Sequence, residues 1–253
     1  MKNAVVLLSG GLDSATTLAL AQADGYSCHA LGFHYGQRHA VELSFAKRLA
    51  RNANAASFRV VHVDLRAFGG SALTADIDVP KDRNMAHATD DIPITYVPAR
   101  NTIFLSFALG LAEVLEARDI FVGANAVDYS GYPDCRPQYL HSFEVMANLA
   151  TRIGVEAKSD AERIHVRAPL LHMSKAKIIQ TGSKLGVRYH DTWSCYDPVS
   201  RQEPPQDPAH DRFRSPKNDI DDVFACGHCD SCILRRRGFI EAHIVDPTRY
   251  AHG

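Results

Sequence analysis

The sequence predicts an α/β fold in which a doubly wound parallel sheet carries a cysteine-rich tail. Short apolar runs alternate with segments of helical periodicity in the order strand, helix, strand, helix, strand. This alternation is typical of a parallel sheet with helices on both faces. Three cysteines recur every three residues late in the chain, with a fourth cysteine upstream, and this pattern predicts a metal site in the tail.

The first predicted strand is the apolar run of residues 4–8, which stops at Ser9-Gly10-Gly11. A continuous apolar run that ends at glycine is typical of a buried parallel strand followed by a tight turn. We expect a helix to begin after this turn, with Asp13 and Ser14 as its capping residues.

The glycine turn has the features of an anion site. Backbone N–H groups and the helix dipole both favour a bound phosphate at a helix N-terminus. Gly10 and Gly11 let the backbone approach a ligand closely, and Ser9 and Ser14 supply hydroxyl groups. A carboxylate next to bound phosphates is favourable mainly if Mg²⁺ lies between them, so Asp13 indicates a Mg²⁺ site. The turn matches neither a Walker A loop nor a dinucleotide fingerprint, and a plain turn without a ligand stays an alternative.

Two further strands follow, at residues 28–33 and 60–63. The polar loop of residues 34–39 comes after the first of them, where ligands bind in doubly wound sheets. A helix with one apolar face separates the two strands. Residues 66–96 show little periodicity and are expected to form a long loop.

The next helix is predicted to begin at Arg100 and Asn101. Its expected buried side chains are Phe104, Phe107, Ala108, Leu111 and Leu115. A fourth strand at residues 120–122 leads into a polar run at residues 128–136, and a helix at residues 139–152 follows.

The last elements of the sheet domain are a strand at residues 164–166 and a helix at residues 173–186. Ser174 is a good N-cap for this helix. A cation in the first turn, Lys175, opposes the helix dipole, and we expect it to reach an anion such as a nucleotide phosphate. Lys177 is expected to be exposed.

Composition and charge restrict the function. The chain has 253 residues, 45% hydrophobic residues and a net charge of −1, which is ordinary for a globular protein. This balance gives no electrostatic case for nucleic acid or a membrane surface as a partner. Residues 4–8 are too few for a signal peptide, so we expect a cytoplasmic protein. The basic run of residues 235–237 is expected to be an exposed helix face, with phosphate contact as the alternative.

The cysteines Cys195, Cys226, Cys229 and Cys232 predict a closed metal site. In a reducing cytosol this spacing indicates a metal rather than disulfides. Four thiolates at about 2.3 Å suit tetrahedral Zn²⁺ and leave no open position, so the role is structural. An iron–sulfur cluster and a redox pair are the alternatives. His228 is an alternative ligand in place of Cys195, but it lies between two ligands and is expected to point away from the metal.

These features divide the chain into two parts. We expect a sheet domain with the predicted anion site at residues 1–190 and a zinc-binding helical tail at residues 191–253. The tail includes a proline-rich, charged loop at residues 197–222, which is poor in aliphatic residues.

The segment SGGLDS in the first turn resembles the PP-loop of the N-type ATP pyrophosphatases. Together with HYGQRHAVE, VPARN, DYSGYPDCR, SKAKII and TWSCY followed by CGHCDSC, it resembles the 7-cyano-7-deazaguanine synthase family over nearly the whole chain. The resemblance implies a Rossmann-like PP-loop domain, similar to adenine nucleotide alpha hydrolases, with a zinc-bearing tail and usually a homodimer. It implies a carbon–nitrogen ligase that makes the nitrile preQ0 from 7-carboxy-7-deazaguanine, ATP and ammonia in queuosine biosynthesis.

The resemblance also assigns residues. It implies that ATP is bound by Leu8, Ser9, Gly10, Gly11, Leu12, Asp13, Ser14, Ala15, Thr16, Thr17 and Leu18. It implies that the four cysteines hold zinc. We expect Lys175, Arg100 and a Mg²⁺ near Asp13 to offset charge on the phosphates. The candidates for gripping the deazaguanine and its carboxylate are Arg38, Asp128, Tyr132, Asp134 and Arg136, each of which has a structural loop hydrogen bond as its alternative.

The implied reaction uses one site twice. Adenylation gives the acid a leaving group, ammonia forms an amide, and adenylation of the amide oxygen then allows the nitrile to form. Position 2 is Lys2 rather than a nucleophilic cysteine and no glutaminase segment is visible, so free ammonia is the expected nitrogen source. The stretch between Cys195 and Cys226 is longer than the family pattern leads us to expect.

Two other functions fit parts of the sequence. A PP-loop enzyme that modifies tRNA directly, such as a thiolase, would need an RNA-binding domain or a catalytic cysteine pair. A zinc-ribbon module that senses a nucleotide would bind ATP without turning it over.

Overall fold

The computed structural model describes residues 1–37, 41–83, 92–125, 132–200 and 222–251. Within them a five-stranded parallel sheet has the order β3-β2-β1-β4-β5. Its strands are β1 (Lys2–Leu7), β2 (Tyr26–His34), β3 (Ser57–His62), β4 (Asp119–Phe121) and β5 (His165–Arg167). The predicted doubly wound parallel sheet is therefore confirmed.

α-Helices cover the sheet, and one of those described lies in the tail. Those of the described residues are α1 (Leu12–Ala23), α2 (Val41–Asn52), α3 (Arg100–Val114), α4 (Pro137–Ala150), α5 (Arg152–Glu156), α6 (Lys175–Lys184) and α7 (Asp230–Ala242). The tail also holds a short antiparallel pair, β6 (Val199–Ser200) and β7 (Val223–Phe224). No helix within these described ranges is both long enough and apolar enough to cross a membrane.

The central strand β1 is apolar from Ala4 to Leu7 because both of its faces are covered there. Ala4 and Val6 pack into a cluster with α1 and α2. Val5 and Leu7 point to the other face and pack with α3 and α4. Successive side chains of a strand alternate between faces, so a strand between two helical layers has no solvent side on which polar residues would be favoured.

The start of α1 differs from the prediction. The helix begins at Leu12 with Gly11 as its N-cap, and no side chain caps it. The hydroxyl of Ser14 donates instead to the Gly11 carbonyl oxygen at 3.0 Å, and the carboxylate of Asp13 accepts from Lys175. The predicted capping role of Asp13 and Ser14 is therefore wrong.

The buried face of α3 also differs from the face that the sequence predicts. Its buried residues are Leu105, Ala108, Leu109 and Ala112. Phe107, which was predicted to be buried, is 44% exposed. Leucine and alanine side chains form the buried face, and Phe104 is only partly buried, with its ring stacked on Phe33 of β2 at 3.8 Å between centroids.

The carboxyl ends of β1, β2 and β4 meet at one edge of the sheet. The glycine turn follows β1 at this edge, and α3 and α6 begin beside it. Ser174 is the N-cap of α6, as predicted, and its hydroxyl accepts from the backbone N–H of Lys177 at 3.3 Å. This edge is where ligands bind in doubly wound sheets.

Candidate functional site

A cavity of about 270 Å³ lies at the carboxyl edge of the sheet. Its walls come from the glycine turn, the ends of β2 and β4, the N-termini of α3 and α6, and the tail. The cavity brings together Asp13, Arg100 and Lys175, which the sequence singled out separately.

The glycine turn is shaped by close packing against α2. Gly10 has φ +90°, and a Cβ at this position would overlap the backbone oxygen of Glu42. Only glycine combines this backbone conformation with this approach. The Gly10 carbonyl oxygen accepts from the backbone N–H of Trp193 at 2.9 Å. The turn is thus held between α2 and the beginning of the tail.

The serine hydroxyls of the turn are joined to each other at the cavity wall. The hydroxyls of Ser9 and Ser14 lie 3.2 Å apart, and the Gly11 N–H donates to the Ser9 hydroxyl at 3.3 Å. Both side chains line the cavity. They are placed to exchange these weak contacts for hydrogen bonds to a bound anion.

Lys175 crosses the cavity to Asp13. Its ammonium nitrogen lies 2.9 and 2.8 Å from the two carboxylate oxygens. The anion that Lys175 meets in this structure is therefore the Asp13 carboxylate. The pair sets a positive and a negative group side by side at the N-termini of α6 and α1.

Arg100 keeps its charge in a largely enclosed position. Burial alone lowers the pKa of this guanidinium, but the surrounding oxygen groups outweigh that effect and raise the pKa overall. Those groups belong to Tyr35, Tyr132, Tyr196 and Asp134. A fixed cation in a cavity of this kind favours an anionic group of a ligand.

Glu42 is a second carboxylate on the cavity wall, and it was missed in the sequence. Burial raises its pKa to about 7, while the charge of Arg100 acts in the opposite direction. Burial and the charge of Glu42 raise the pKa of the neighbouring Tyr35 to about 12. The signal that could have found Glu42 is its place in the first turn of α2, directly after the polar loop at the end of β2.

The predicted substrate residues have different surroundings. Tyr132 is buried on the cavity wall, and its hydroxyl lies 2.9 Å from that of Thr95. The Asp134 carboxylate accepts from the backbone N–H of Asn101 at 2.9 Å, at the start of α3. Arg136 is exposed at the N-cap of α4.

Two of the predicted substrate residues, Arg38 and Asp128, lie outside the described residues. Nothing in the described contacts tests whether any of the five candidates touches a substrate. Their roles stay predictions.

The four cysteines of the tail come together in a buried cluster. Their sulfur atoms all lie within 4.8 Å of one another. A tetrahedral zinc site with bonds of about 2.3 Å has sulfur atoms about 3.8 Å apart, so the cluster fits such an ion. The cluster could therefore bind a metal. Its members are Cys195, Cys226, Cys229 and Cys232.

Hydrogen bonds link the cluster to its surroundings. Backbone N–H groups of Cys226 and Asp197 donate to the Cys195 sulfur at 3.2 and 3.4 Å. Hydrogen bonds among the four thiols lower the pKa of Cys226 and Cys229 and raise the pKa of Cys195 and Cys232. His228 is not a member, since its ring nitrogen lies 2.8 Å from a carboxylate oxygen of Asp82. The expectation that His228 points away is confirmed.

The basic run in α7 is not uniformly exposed, contrary to the prediction. The side chain of Arg235 is only 2% exposed and lines the cavity, whereas that of Arg237 is 63% exposed. The guanidinium of Arg236 lies 3.9 Å from the centroid of the Tyr250 ring. Arg235 is buried because a carboxylate, two hydroxyls and a carbonyl accept from its guanidinium. Acceptors supplied from distant parts of the chain cannot be read from a local run of charges.

Comparisons with known proteins give a family match and several similar chains. The family model of the queuosine biosynthesis protein QueC matches residues 3–243. A 7-cyano-7-deazaguanine synthase of Desulfatibacillum aliphaticivorans is 55% identical over 98% of this chain and 97% of its own length. The enzyme of that name from Geobacter sulfurreducens is 56% identical over 100% and 94%. Among solved structures, a predicted tRNA methyltransferase subunit from Methanocaldococcus jannaschii aligns with a TM-score of 0.45 at 18% identity, over 72% of this chain and 75% of its own.

Proposed function

This chain belongs to the family of the queuosine biosynthesis protein QueC, and on that premise we propose that it converts 7-carboxy-7-deazaguanine and ammonia into 7-cyano-7-deazaguanine at the expense of ATP. It would act as a carbon–nitrogen ligase. The observation that carries the proposal is the single cavity that joins the glycine turn to Arg100 and Lys175.

The glycine turn holds the triphosphate. Residues 8–18 supply backbone N–H groups and hydroxyls for the β- and γ-phosphates, so that the α-phosphorus faces the cavity. Lys175 and Arg100 offset the phosphate charge. A Mg²⁺ held by Asp13 fits this position, because hard carboxylate and phosphate oxygens are its preferred ligands, and it would neutralise further charge.

The reaction balances over two passes through this cavity. A carboxylate oxygen attacks the α-phosphorus of ATP and pyrophosphate leaves, and ammonia then displaces AMP to give the amide and a proton. The amide oxygen attacks a second ATP in the same way. Loss of AMP and of both amide protons leaves the carbon–nitrogen triple bond. The chain contributes mainly positioning and charge stabilisation.

The deazaguanine occupies the cavity beside the α-phosphorus. Tyr132 on the cavity wall is one proposed contact, and Arg38, Asp128, Asp134 and Arg136 are the others. Each of these side chains offers a donor or an acceptor that suits the polar edge or the carboxylate of the substrate.

The tail cluster binds Zn²⁺ in our proposal, because four buried thiolates suit this ion and leave no position for a substrate. The zinc is therefore structural. We further propose a cytoplasmic homodimer that acts on free small molecules rather than nucleic acid. The net charge of −1 supports the last point, and light scattering tests the dimer.

Product analysis tests the proposed function. The full chain is incubated with 7-carboxy-7-deazaguanine, ATP, Mg²⁺ and ammonium, and the products are identified by mass spectrometry. The proposal expects the nitrile, AMP and pyrophosphate, each dependent on ATP. ATP binding without formation of AMP or nitrile would favour a nucleotide sensor. Sulfur transfer to tRNA would favour a tRNA-thiolating enzyme.

A further inference from the structure

One short segment, residues 189–195, joins the four-cysteine cluster to the glycine turn. It ends at Cys195, a member of the cluster. Two residues earlier, the backbone N–H of Trp193 donates to the Gly10 carbonyl oxygen at 2.9 Å. At its other end, the Tyr189 hydroxyl lies 2.9 Å from that of Thr16 in α1. The segment therefore contacts both the turn and the helix that follows it.

Arg235 holds this segment from the tail. Its guanidinium donates to the Tyr189 carbonyl oxygen at 3.0 Å, to the Thr192 hydroxyl at 2.8 Å and to the Ser194 hydroxyl at 3.2 Å. The planar fork of an arginine suits several acceptors in fixed directions, and a lysine cannot reproduce this arrangement.

The buried charge of Arg235 is compensated by Asp246. The Nε atom lies 3.1 Å from a carboxylate oxygen of Asp246. That carboxylate also accepts from the Tyr250 hydroxyl at 2.7 Å and from the Thr248 N–H at 3.1 Å. Burial of a charge is unfavourable unless it is paired and hydrogen-bonded. These contacts fix the guanidinium in position against residues 189–194.

Helix α7 relates Arg235 to the metal ligands. Cys229 is the N-cap of α7 and Cys232 lies in its first turn. Arg235 follows Cys232 by three residues, which places both on neighbouring positions of one helix face. A metal ion that fixes Cys229 and Cys232 therefore also fixes the backbone position of Arg235 in α7.

We propose that Arg235 is a positioning residue that, together with the metal-loaded cluster, holds the glycine turn in its nucleotide-binding conformation. Metal occupancy and nucleotide affinity are then coupled. This inference rests on the proposed binding of ATP at the turn, and it assigns the tail a role in that binding.

Nucleotide affinity of metal-loaded variants tests the role of Arg235. Arg235→Gln and Arg235→Lys are compared with wild type and with Arg237→Gln, whose side chain is exposed on the same helix. Calorimetry measures the Kd for the α,β-methylene analogue of ATP, and elemental mass spectrometry measures bound zinc. We expect Arg235→Gln to raise Kd about tenfold, which corresponds to about 1.4 kcal/mol, with zinc retained. Arg235→Lys should raise Kd as well, and Arg237→Gln should match wild type.

The two ways in which this experiment can fail are distinct. If the wild-type protein does not bind the analogue, the proposed function is wrong. If the wild type binds it and a folded, zinc-loaded Arg235 variant binds it equally well, only the positioning role is wrong.

A measurement on the wild type decides the coupling even if both Arg235 variants fail to fold. Coupling between two ligands is reciprocal, so bound nucleotide must also favour bound metal. The rate of zinc loss to a chromogenic chelator is measured with the ATP analogue, with AMP and without nucleotide. We expect the analogue to slow the loss several-fold relative to AMP. Equal rates in all three samples would overturn the inference.

Discussion

The ammonium nitrogen of Lys175 lies 2.8 Å from a carboxylate oxygen of Asp13, although 162 positions separate the two residues in sequence. Both are in the first turns of their helices, α6 and α1. A cation at a helix N-terminus is unfavourable with respect to the helix dipole, and the facing carboxylate offsets this cost. The pair therefore keeps a positive group at the cavity wall, where the proposed triphosphate needs one.

Loss of Asp13 should reduce turnover strongly without loss of metal. Asp13→Ala removes the proposed Mg²⁺ ligand and the partner of Lys175, and we expect kcat/KM to fall at least about a hundredfold, or about 2.7 kcal/mol. Bound zinc should stay at the wild-type level. Asp24→Ala, which removes an exposed carboxylate at the other end of α1, is the control and should retain activity. Loss of zinc from Asp13→Ala would show that the two sites are not separate.

A Cβ at position 10 should disrupt the turn. Gly10→Ala combines a φ of +90° with overlap on the Glu42 carbonyl, whereas Gly25→Ala places alanine at φ +84° with no atom within 4 Å. The left-handed backbone conformation alone costs alanine about 1 to 2 kcal/mol. Gly25→Ala therefore measures the cost of this conformation without steric overlap. We expect Gly10→Ala to lower the free energy of unfolding by more than Gly25→Ala does, and also to weaken ATP binding. Equal effects of the two substitutions in urea unfolding would contradict the close packing at Gly10.

Glu42 should make stability depend on pH. Its pKa is raised from an ordinary 4.5 to about 7 in the folded chain. Between these pH values Glu42 is protonated in the folded state but ionised in the unfolded state. The free energy of unfolding therefore falls as the pH rises from about 4.5 to about 7, and above pH 7 Glu42 causes no further change. The full change is on the order of 3 kcal/mol.

Glu42→Gln isolates this contribution, since the variant cannot titrate at this position. We expect the free energy of unfolding of the variant to fall less than that of the wild type between about pH 4.5 and about pH 7. Above pH 7 the variant should be the more stable protein. Urea unfolding at a series of pH values measures the difference. Parallel curves for the variant and the wild type across this range would show that the Glu42 pKa is not raised.

Removal of one cluster cysteine should release the metal and loosen the tail. Cys229→Ser replaces a soft thiolate in a buried four-sulfur cluster, and we expect zinc to be lost and Tm to fall. Cys28→Ala is the matched control, because Cys28 is buried in β2 outside the cluster. It should lower stability modestly through a small cavity but retain zinc. Stoichiometric zinc in Cys229→Ser would show that three ligands suffice.

Much of the fold could be predicted because its signals are local. The apolar run before Gly10 is continuous since β1 is covered on both faces, and the spacing of Cys226, Cys229 and Cys232 is a property of a few residues. The register of α3 could not be predicted in the same way. Phe107 has the periodicity of a buried residue, but the side chains that α3 buries are those of Leu105, Ala108, Leu109 and Ala112.

The candidate site was less predictable, because its electrostatics depend on tertiary packing. Lys175 and Arg100 could be found from their places at helix N-termini. Glu42 could have been found from its place after the polar loop, but its burial beside Arg100 could not be predicted. The burial of Arg235 could not be predicted either, since its acceptors come from residues 189–194 and Asp246. The domain boundary at residue 190 stays a prediction.

The central claim is that the glycine turn presents the α-phosphorus of ATP to an oxygen of the substrate, and isotope transfer tests it most directly. 7-Carboxy-7-deazaguanine labelled with ¹⁸O in both carboxylate positions is converted in unlabelled water, and the phosphorus products are analysed by mass spectrometry. The account predicts two molecules of AMP for each nitrile, each with one ¹⁸O, and unlabelled pyrophosphate. Label in pyrophosphate or inorganic phosphate, or AMP without label, would contradict it.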